Sequence, residues 1–318
     1  MPDNTPQITV LMPAYNAAAY ISDAINSVLQ QSFTDFELLI VNDGSTDDTV
    51  NVINSFTDSR IVLINQTNGG VAAALNTGLA HARAPYVARF DADDICYHKR
   101  LEIQYDFMRS NPDYIILGSA ADYMDMEGNY VFNYQPAAHN DDQIQHLHYT
   151  VCPFIHSTVF YKKSVVLEAG GYNTHAYGFE DHFLWRHILK KGRVFNFSQP
   201  LITVRLNPGS VTMDEKWCSQ RFLHIKYAAL QKTSITQAQG DELAHISKTE
   251  HKPEIKEGAY HALLAKKFLW NNHQPAKARE NLKEVLSVNR LHWKSYGLFM
   301  LSFLPAGILL KLYNTIKQ

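Results

Sequence analysis

Five short apolar runs, Ile8–Met12, Glu37–Asn42, Ile61–Asn65, Tyr86–Phe90 and Tyr114–Gly118, are rich in Val, Ile, Leu and aromatic residues and read as β-strands. They begin at 8, 37, 61, 86 and 114, which leaves room for one helix in each gap. Ile21, Ala24, Ile25 and Val28 form an apolar helical stripe in the first gap. Ser45 can cap a second helix opened by Asp47 and Asp48, and Ala72–Ala82 is a strong helix former closed off by Pro85. Leu101, Tyr105 and Met108 mark a further helix before Pro112. The alternation predicts an α/β fold, a mainly parallel sheet flanked by helices, whose ligands bind beyond the carboxyl ends of the strands.

From about 119 to 216 the pattern is less regular, with a turn at Asp125–Asn129, a strand at Ser157–Tyr161, a break at Gly170-Gly171 and a helix at Asp181–Leu189. Beyond it the chain reads as helical: Trp217–Leu230, Ile255–Asn271, Pro275–Val288 and Leu291–Leu304, with the polar stretch Thr233–Lys252 as a link. This gives an α/β domain over 1–216, in halves 1–118 and 119–216, and a helical C-terminal extension over 217–318.

Charge sharpens that division. From Trp217 onward there are 15 Lys+Arg and 7 Asp+Glu, whereas the preceding 216 residues hold 14 and 24. An acidic front and a basic rear imply different partners, and the front is a poor nucleic-acid binder. Cys96, Cys152 and Cys218 are widely spaced and odd in number, which fits a reducing cytosol. The polar start has no basic n-region and no long apolar run, so no signal peptide is expected.

The chemistry concentrates where the strands end. Asp91-Ala92-Asp93-Asp94 follows one strand, and alternation along an extended backbone would put Asp91 and Asp93 on one side, facing one divalent cation. Asp43 ends another strand with a carboxylate able to accept the imide N–H of a uracil ring, and Tyr15 can lie flat against a base. A turn plus helix cap is an equally good reading of Asp43-Gly44-Ser45. No GxG triplet and no GK[ST] occur, so dinucleotide and P-loop fingerprints are absent. His146, His148, Cys152 and His156 have no standard zinc spacing.

In order along the chain, Val10–Asn16, Glu37–Ser45, Ala74–Gly78, Asp91–Asp94 and Gly178-Phe179-Glu180-Asp181 with Leu184-Trp185 resemble the inverting family 2 glycosyltransferases of GT-A fold. The likeness runs from about residue 8 to 212. It implies transfer of a sugar from a nucleoside-diphosphate donor, a UDP-sugar by preference, to the hydroxyl of a glycan or lipid-linked glycan. By the same resemblance Pro13, Ala14, Tyr15, Asn16 and Asp43 bind the nucleoside, and Asp91, Ala92 and Asp93 the ribose and diphosphate. Asp93 with Asp91 would hold Mg²⁺ or Mn²⁺, and Asp181 would be the general base. His156 and Glu180 fall on the acceptor side. The sequence departs from the family pattern at His98, where proline is usual, and at Asn207, where a late histidine is usual. Residues 1–118 thus become the nucleotide-sugar half and 119–216 the acceptor half.

Two rivals remain. A sugar nucleotidyltransferase would open with a Gly-rich, basic loop, which Pro13–Asn16 lacks; a catalytically silent scaffold would have lost Asp91, Asp93 and Asp181, all present. From Ser295 to Leu310 the chain is uncharged and strongly apolar, bracketed by Lys294 and Lys311 and interrupted by Pro305. It is shorter than the roughly 20 residues of a spanning helix. Core packing and an interfacial segment on an anionic membrane both fit; the basic balance favours the second, with a peripheral location on the inner face of the plasma membrane.

Overall fold

The computed structural model describes residues 5–208, 218–250, 252–290 and 292–316. The chain opens with β1 (Ile8–Ala14), α1 (Ile21–Leu29), β2 (Phe36–Asp43), α2 (Thr49–Asn54), β3 (Ile61–Gln66), α3 (Val71–His81) and β4 (Tyr86–Arg89). β1 lies parallel to both β2 and β4, and β2 parallel to β3. Leu11 faces Arg89, the last residue of β4, so at Pro13 the central strand has lost its neighbour on that side. A residue without an N–H is tolerated there. Gly78 of α3 has no room for a side chain, since a Cβ would stand 2.1 Å from Leu11 Cδ1, and this brings the helix down onto β1.

The next elements are β5 (Ile95–Cys96), α4 (Arg100–Ser110), β6 (Tyr114–Met124), β7 (Tyr130–Tyr134), α5 (Asp141–Leu147), β8 (Phe160–Lys162), α6 (Lys163–Glu168), α7 (Glu180–Ile188) and β9 (Arg193–Arg205). The sheet runs β3-β2-β1-β4-β8-β6-β9-β5, with β7 on β6. β8 is antiparallel to β4 and β6, and β5 to β9, so the sheet is parallel over its first half and antiparallel beyond. The strand expected at Ser157–Tyr161 begins later, because His156–Thr158 forms a single 3₁₀ turn.

The rear adds α8 (Gln220–Lys232), α9 (Gln237–Thr249), α10 (Pro253–Trp270), α11 (Pro275–Val288), α12 (Trp293–Leu301) and α13 (Ala306–Ile316). The stretch expected to be a polar link is mostly α9. Thr236 and Gln239 exchange hydrogen bonds at its start, a capping pair, and Leu243 and Ile246 are buried. The start of the helix expected at Trp217 lies outside the described residues.

So does the boundary expected at 216/217, and the compact units do not follow it. One unit comprises Met1–Asp122, Asn133–Val204 and Lys226–Asp241, and the other Tyr123–Phe132, Arg205–Ile225 and Glu242–Gln318. The end of α8 and the start of α9 belong to the first unit for visible reasons. Arg186 Nε donates to Leu230 O at 3.1 Å, the His187 ring meets Thr233 O at 3.0 Å, and a Cβ on Gly240 would stand 2.6 Å from His175 Cβ.

In the first unit the core gathers on Trp185, which is fully buried among Phe154, His156, Tyr161 and Tyr172 at centroid distances of 5.7–6.4 Å. The second unit has its own apolar cluster, Val131 and Phe132 with Leu264, Phe268, Leu269, Ala278 and Leu309. Among the described residues, no helix is long and apolar enough to cross a membrane.

Candidate functional site

The loops after β1 and β2 are stitched to each other. Asn16 adopts a left-handed backbone (φ 48°), a conformation asparagine tolerates, and its side chain accepts from Thr46 N at 2.8 Å. Asn16 N donates to Ser45 Oγ at 3.0 Å, and Ala17 N to Thr49 Oγ1 at 2.8 Å. Ser45 therefore braces the first loop rather than capping α2, which starts at Thr49 and takes its nearest carboxylate from Asp47, an acceptor for Thr49 N at 3.1 Å. Ala14 is buried and Pro13 half-buried, while Tyr15 is 53% exposed, open to stacking by a flat ring.

Asp43 is only 3% exposed and its carboxylate is already occupied. Oδ1 accepts from Gln66 Nε2 at 2.7 Å and Gly69 N at 2.9 Å, and Oδ2 from Gly70 N at 2.8 Å. A carboxylate has about four acceptor positions, so one is left for an incoming donor. The Gly69-Gly70 turn is thus held by Asp43. Gly44 makes the approach feasible, with φ 72° and a site where a Cβ would meet Asn68 N at 2.8 Å.

Asp91 and Asp93 are not placed by strand alternation. β4 ends at Arg89, and Ala92-Asp93 form a turn, so the two aspartates flank a turn rather than lie along a strand. Asp91 is paired with Arg89, and its N–H donates to Ser157 Oγ at 3.1 Å. Ala92 is buried, Asp93 half-buried on the same turn, and Asp94 buried within the electrostatic reach of Arg89 and Arg100. Asp94 therefore serves the interior and the other two face outward. Two hard oxygen donors on one turn fit Mg²⁺ or Mn²⁺, which commonly take one or two carboxylates and complete their shell with substrate phosphates and water. Among the described residues no three His, Cys, Asp or Glu side chains cluster as a metal cage.

α7 carries Asp181 in its first helical turn, on the stripe that continues through Leu184, Trp185 and Ile188. The buried Trp185 anchors that stripe, so the carboxylate is aimed by core packing. Asp181 Oδ1 accepts from His182 N at 2.6 Å, and Cys152 Sγ points at Oδ2 from 3.5 Å. Glu180 is 8% exposed, with Gly178 N as a donor at 3.1 Å. Burial, then the negative charge of Asp181, push its carboxyl up to about 7. His156 Nε2 lies 3.1 Å from the Tyr172 hydroxyl, and burial followed by the nearby Arg89 charge holds the imidazole well below its ordinary range, hence neutral.

Arg89 ties the two sides together. It pairs with Asp91, and its charge is felt by His156, Tyr172 and Glu180. The sequence reading did not give Arg89, Ser157 or Tyr172 firm roles. Asn76 was part of a quoted motif, and it clamps Tyr172, accepting from its N–H and donating to its carbonyl, both at 2.8 Å. Arg205 lies in the second unit, where Nη1 donates to Met126 O at 2.9 Å.

A parallel nucleotide-type half sheet, an aspartate turn after β4, its last strand, and helices on the sheet make a fold of GT-A type. Residues 9–170 match the family model "Glycosyl transferase family 2", and the chain belongs to that family. It is 31% identical over 207 residues to the putative glycosyltransferase EpsE of Bacillus subtilis, covering 63% of this chain and 73% of that protein. With the amylovoran biosynthesis glycosyltransferase AmsE of Erwinia amylovora the identity is 30% over 215 residues, 66% of this chain and 80% of AmsE. Against an uncharacterized glycosyltransferase of Haemophilus influenzae, 40% identical over 131 residues, the match spans 40% of this chain and only 52% of that protein. Among solved structures, S. aureus TarS 1–349 superposes with a TM-score of 0.56 at 16% identity, over 91% of each chain. The mannosyltransferase PcManGT of Pyrobaculum calidifontis, in complex with GDP-Man and Mn²⁺, gives 0.53 at 17% identity, over 100% of this chain and 90% of that one.

Proposed function

We propose that this protein transfers a glycosyl group from a nucleoside-diphosphate sugar, preferably a UDP-sugar, to an acceptor hydroxyl with inversion at the anomeric carbon. The reading includes a glycan or lipid-linked glycan acceptor, assembly of a cell-surface polysaccharide or glycolipid, and a cytoplasmic site of action. The observation that carries it is Arg89, which pairs with Asp91 and whose charge also reaches Glu180, the residue beside Asp181. Its relative AmsE, an amylovoran biosynthesis glycosyltransferase, supports the biological setting. TarS in complex with UDP-GlcNAc and PcManGT with GDP-Man and Mn²⁺ support a sugar-nucleotide donor and a divalent cation.

In this mechanism Tyr15 stacks on the base and the last acceptor position of Asp43 takes a base N–H, while Pro13, Ala14 and Asn16 shape the loop around the nucleoside. Asp91 accepts from the ribose side and Asp93 with Asp91 would hold Mg²⁺ or Mn²⁺, which when bound neutralises charge developing on the departing diphosphate. Asp181 accepts the proton of the acceptor hydroxyl as its oxygen bonds to the anomeric carbon. The bond from that carbon to the phosphate oxygen breaks, and its electron pair leaves with the nucleoside diphosphate. No enzyme nucleophile intervenes, so the configuration inverts. Glu180 keeps its proton below about pH 7, which leaves one negative charge at the carboxylate pair. His156, neutral and beside Tyr172, lines the acceptor side.

The test is incubation with a panel of UDP- and GDP-sugars, Mn²⁺ and extracted glycolipid acceptors. Expected are release of the nucleoside diphosphate and an NMR-determined product configuration opposite to that of the donor. Retained configuration would defeat the single displacement. Formation of pyrophosphate from a nucleoside triphosphate and a sugar phosphate would mark a nucleotidyltransferase. No thermal shift with any donor would mark a silent scaffold.

A further inference from the structure

α12 is built the wrong way round for a helix whose purpose is packing alone. Trp293, Tyr296, Met300 and Phe303 follow a spacing of three, four and three residues, one continuous stripe, and that stripe is the exposed one. Trp293 is 75%, Met300 72% and Phe303 62% exposed. The inward positions hold the buried Ser295 and Ser302, with Leu298 and Leu301 packed on the second unit's apolar cluster. The serines are satisfied locally, Ser295 Oγ 2.8 Å from His292 Nδ1 and Ser302 Oγ donating to Phe299 O at 2.6 Å. After the break at Pro305, α13 repeats the division: Leu309 is buried while Ile308 and Leu312, one turn apart, face out. Segment 295–310 therefore packs with one face and exposes the other.

We infer that the outer face of α12 and α13 seats on an anionic lipid bilayer, with the aromatic stripe in the headgroup layer and the flanking lysines on the phosphates. Charge selects this occupant. After Glu284 the sequence carries Arg290, Lys294, Lys311 and Lys317 and no Asp or Glu at all. The Lys294 ammonium stands 5.7 Å from the Trp293 ring centre and the Arg279 guanidinium 4.8 Å from that of Phe303, so cations rim the apolar surface. A two-fold contact with a second copy would set these like charges against one another. Trp and Tyr are the side chains enriched at membrane–water interfaces, and helices of 9 and 11 residues lie on a bilayer rather than cross it. The inference deepens the acceptor side of the proposed activity, since a lipid-linked glycan is met at a membrane, but it is read without any donor.

The experiment is flotation of the whole chain with vesicles of phosphatidylcholine alone and of phosphatidylcholine with phosphatidylglycerol. Binding is expected only to the anionic vesicles, with loss in high salt. Trp293→Ser, Met300→Ser and Phe303→Ser combined should lower the bound fraction at least about tenfold without lowering the thermal midpoint, because these side chains are exposed. Lys294→Glu with Lys311→Glu touches no apolar packing and should do the same even if the first variant folds poorly. Equal binding of parent and both variants would overturn the inference. So would a parent that ignores vesicles and loses a dimer, by light scattering, when the stripe is removed. Transfer activity on a soluble acceptor alongside absent vesicle binding would sink this inference and leave the proposed reaction standing.

Discussion

Two buried carboxylates in the first unit are treated in opposite ways. Asp43, at the end of β2, receives three N–H donors within 2.9 Å and uses its charge to hold a glycine turn. Glu180, at the start of α7, has a backbone donor at 3.1 Å and a second carboxylate beside it, and is pushed up to about 7 by burial and by that neighbour. The first is an acceptor engaged by its surroundings, fit to shape a loop. The second is a protonatable group next to the residue proposed to move a proton. In the proposed reaction, donor recognition and acceptor activation would rest on the same functional group placed in different electrostatic company.

The sharpest way to break this comparison is Asp181→Asn. Turnover should fall at least about a hundredfold, the scale of lost general-base catalysis, with donor affinity unchanged. The same change removes the negative neighbour of Glu180 and should bring that carboxyl down from about 7. Near-normal turnover would take Asp181 out of the mechanism. Asp93→Ala comes next. Calorimetry with Mn²⁺ should show metal-dependent donor binding abolished, while metal-free nucleoside binding at the Asp43 loop survives; unchanged affinity would refute the role.

Asp43→Asn should act on the fold as well as on donor binding. The amide puts a donor where Gly70 N already donates, so a loss of about 1–3 kcal/mol is expected in denaturant melts. A variant as stable as the parent would mean that the Gly69-Gly70 turn is held by something else. Gly78→Ala is the apolar counterpart, since its new Cβ would meet Leu11 Cδ1 at 2.1 Å, with about 1–3 kcal/mol of overpacking. Unchanged stability there would show that α3 can lift off β1 freely.

Much of this was legible because it is local. Strand runs at a fixed period placed β1 to β4 within two residues, and each strand end delivered the polar residues expected beyond it. The Asp91–Asp93 geometry was not legible, because strand alternation and a turn both bring a spaced pair together and only the position where β4 stops decides between them. α9 was missed because the polar composition of its exposed faces outweighed Thr236 and Gln239, a capping signature visible in the sequence. Arg89 is a different case. Nothing in a single strand reveals that a buried arginine will sit between two loops 66 or more residues apart, since that depends on β8 inserting beside β4.

The most gradual effect concerns Glu180 and pH. Its folded-state carboxyl is raised from 4.5 to about 7, so between those values the native protein holds a proton that the unfolded chain releases. Stability from this group is fully present below pH 4.5 and declines as pH rises through about 7, with a slope of at most about 1.4 kcal/mol per pH unit. Glu180→Gln keeps the shape and removes the titration, so the parent-minus-variant difference in unfolding free energy should become less favourable to the parent across that window and flatten above it. In Asp181→Asn the same decline should end at lower pH and be smaller, because the charge of Asp181 no longer opposes ionisation. A difference that stays flat from pH 4.5 to 7 would mean Glu180 is ionised throughout, and the contrast with Asp43 would vanish.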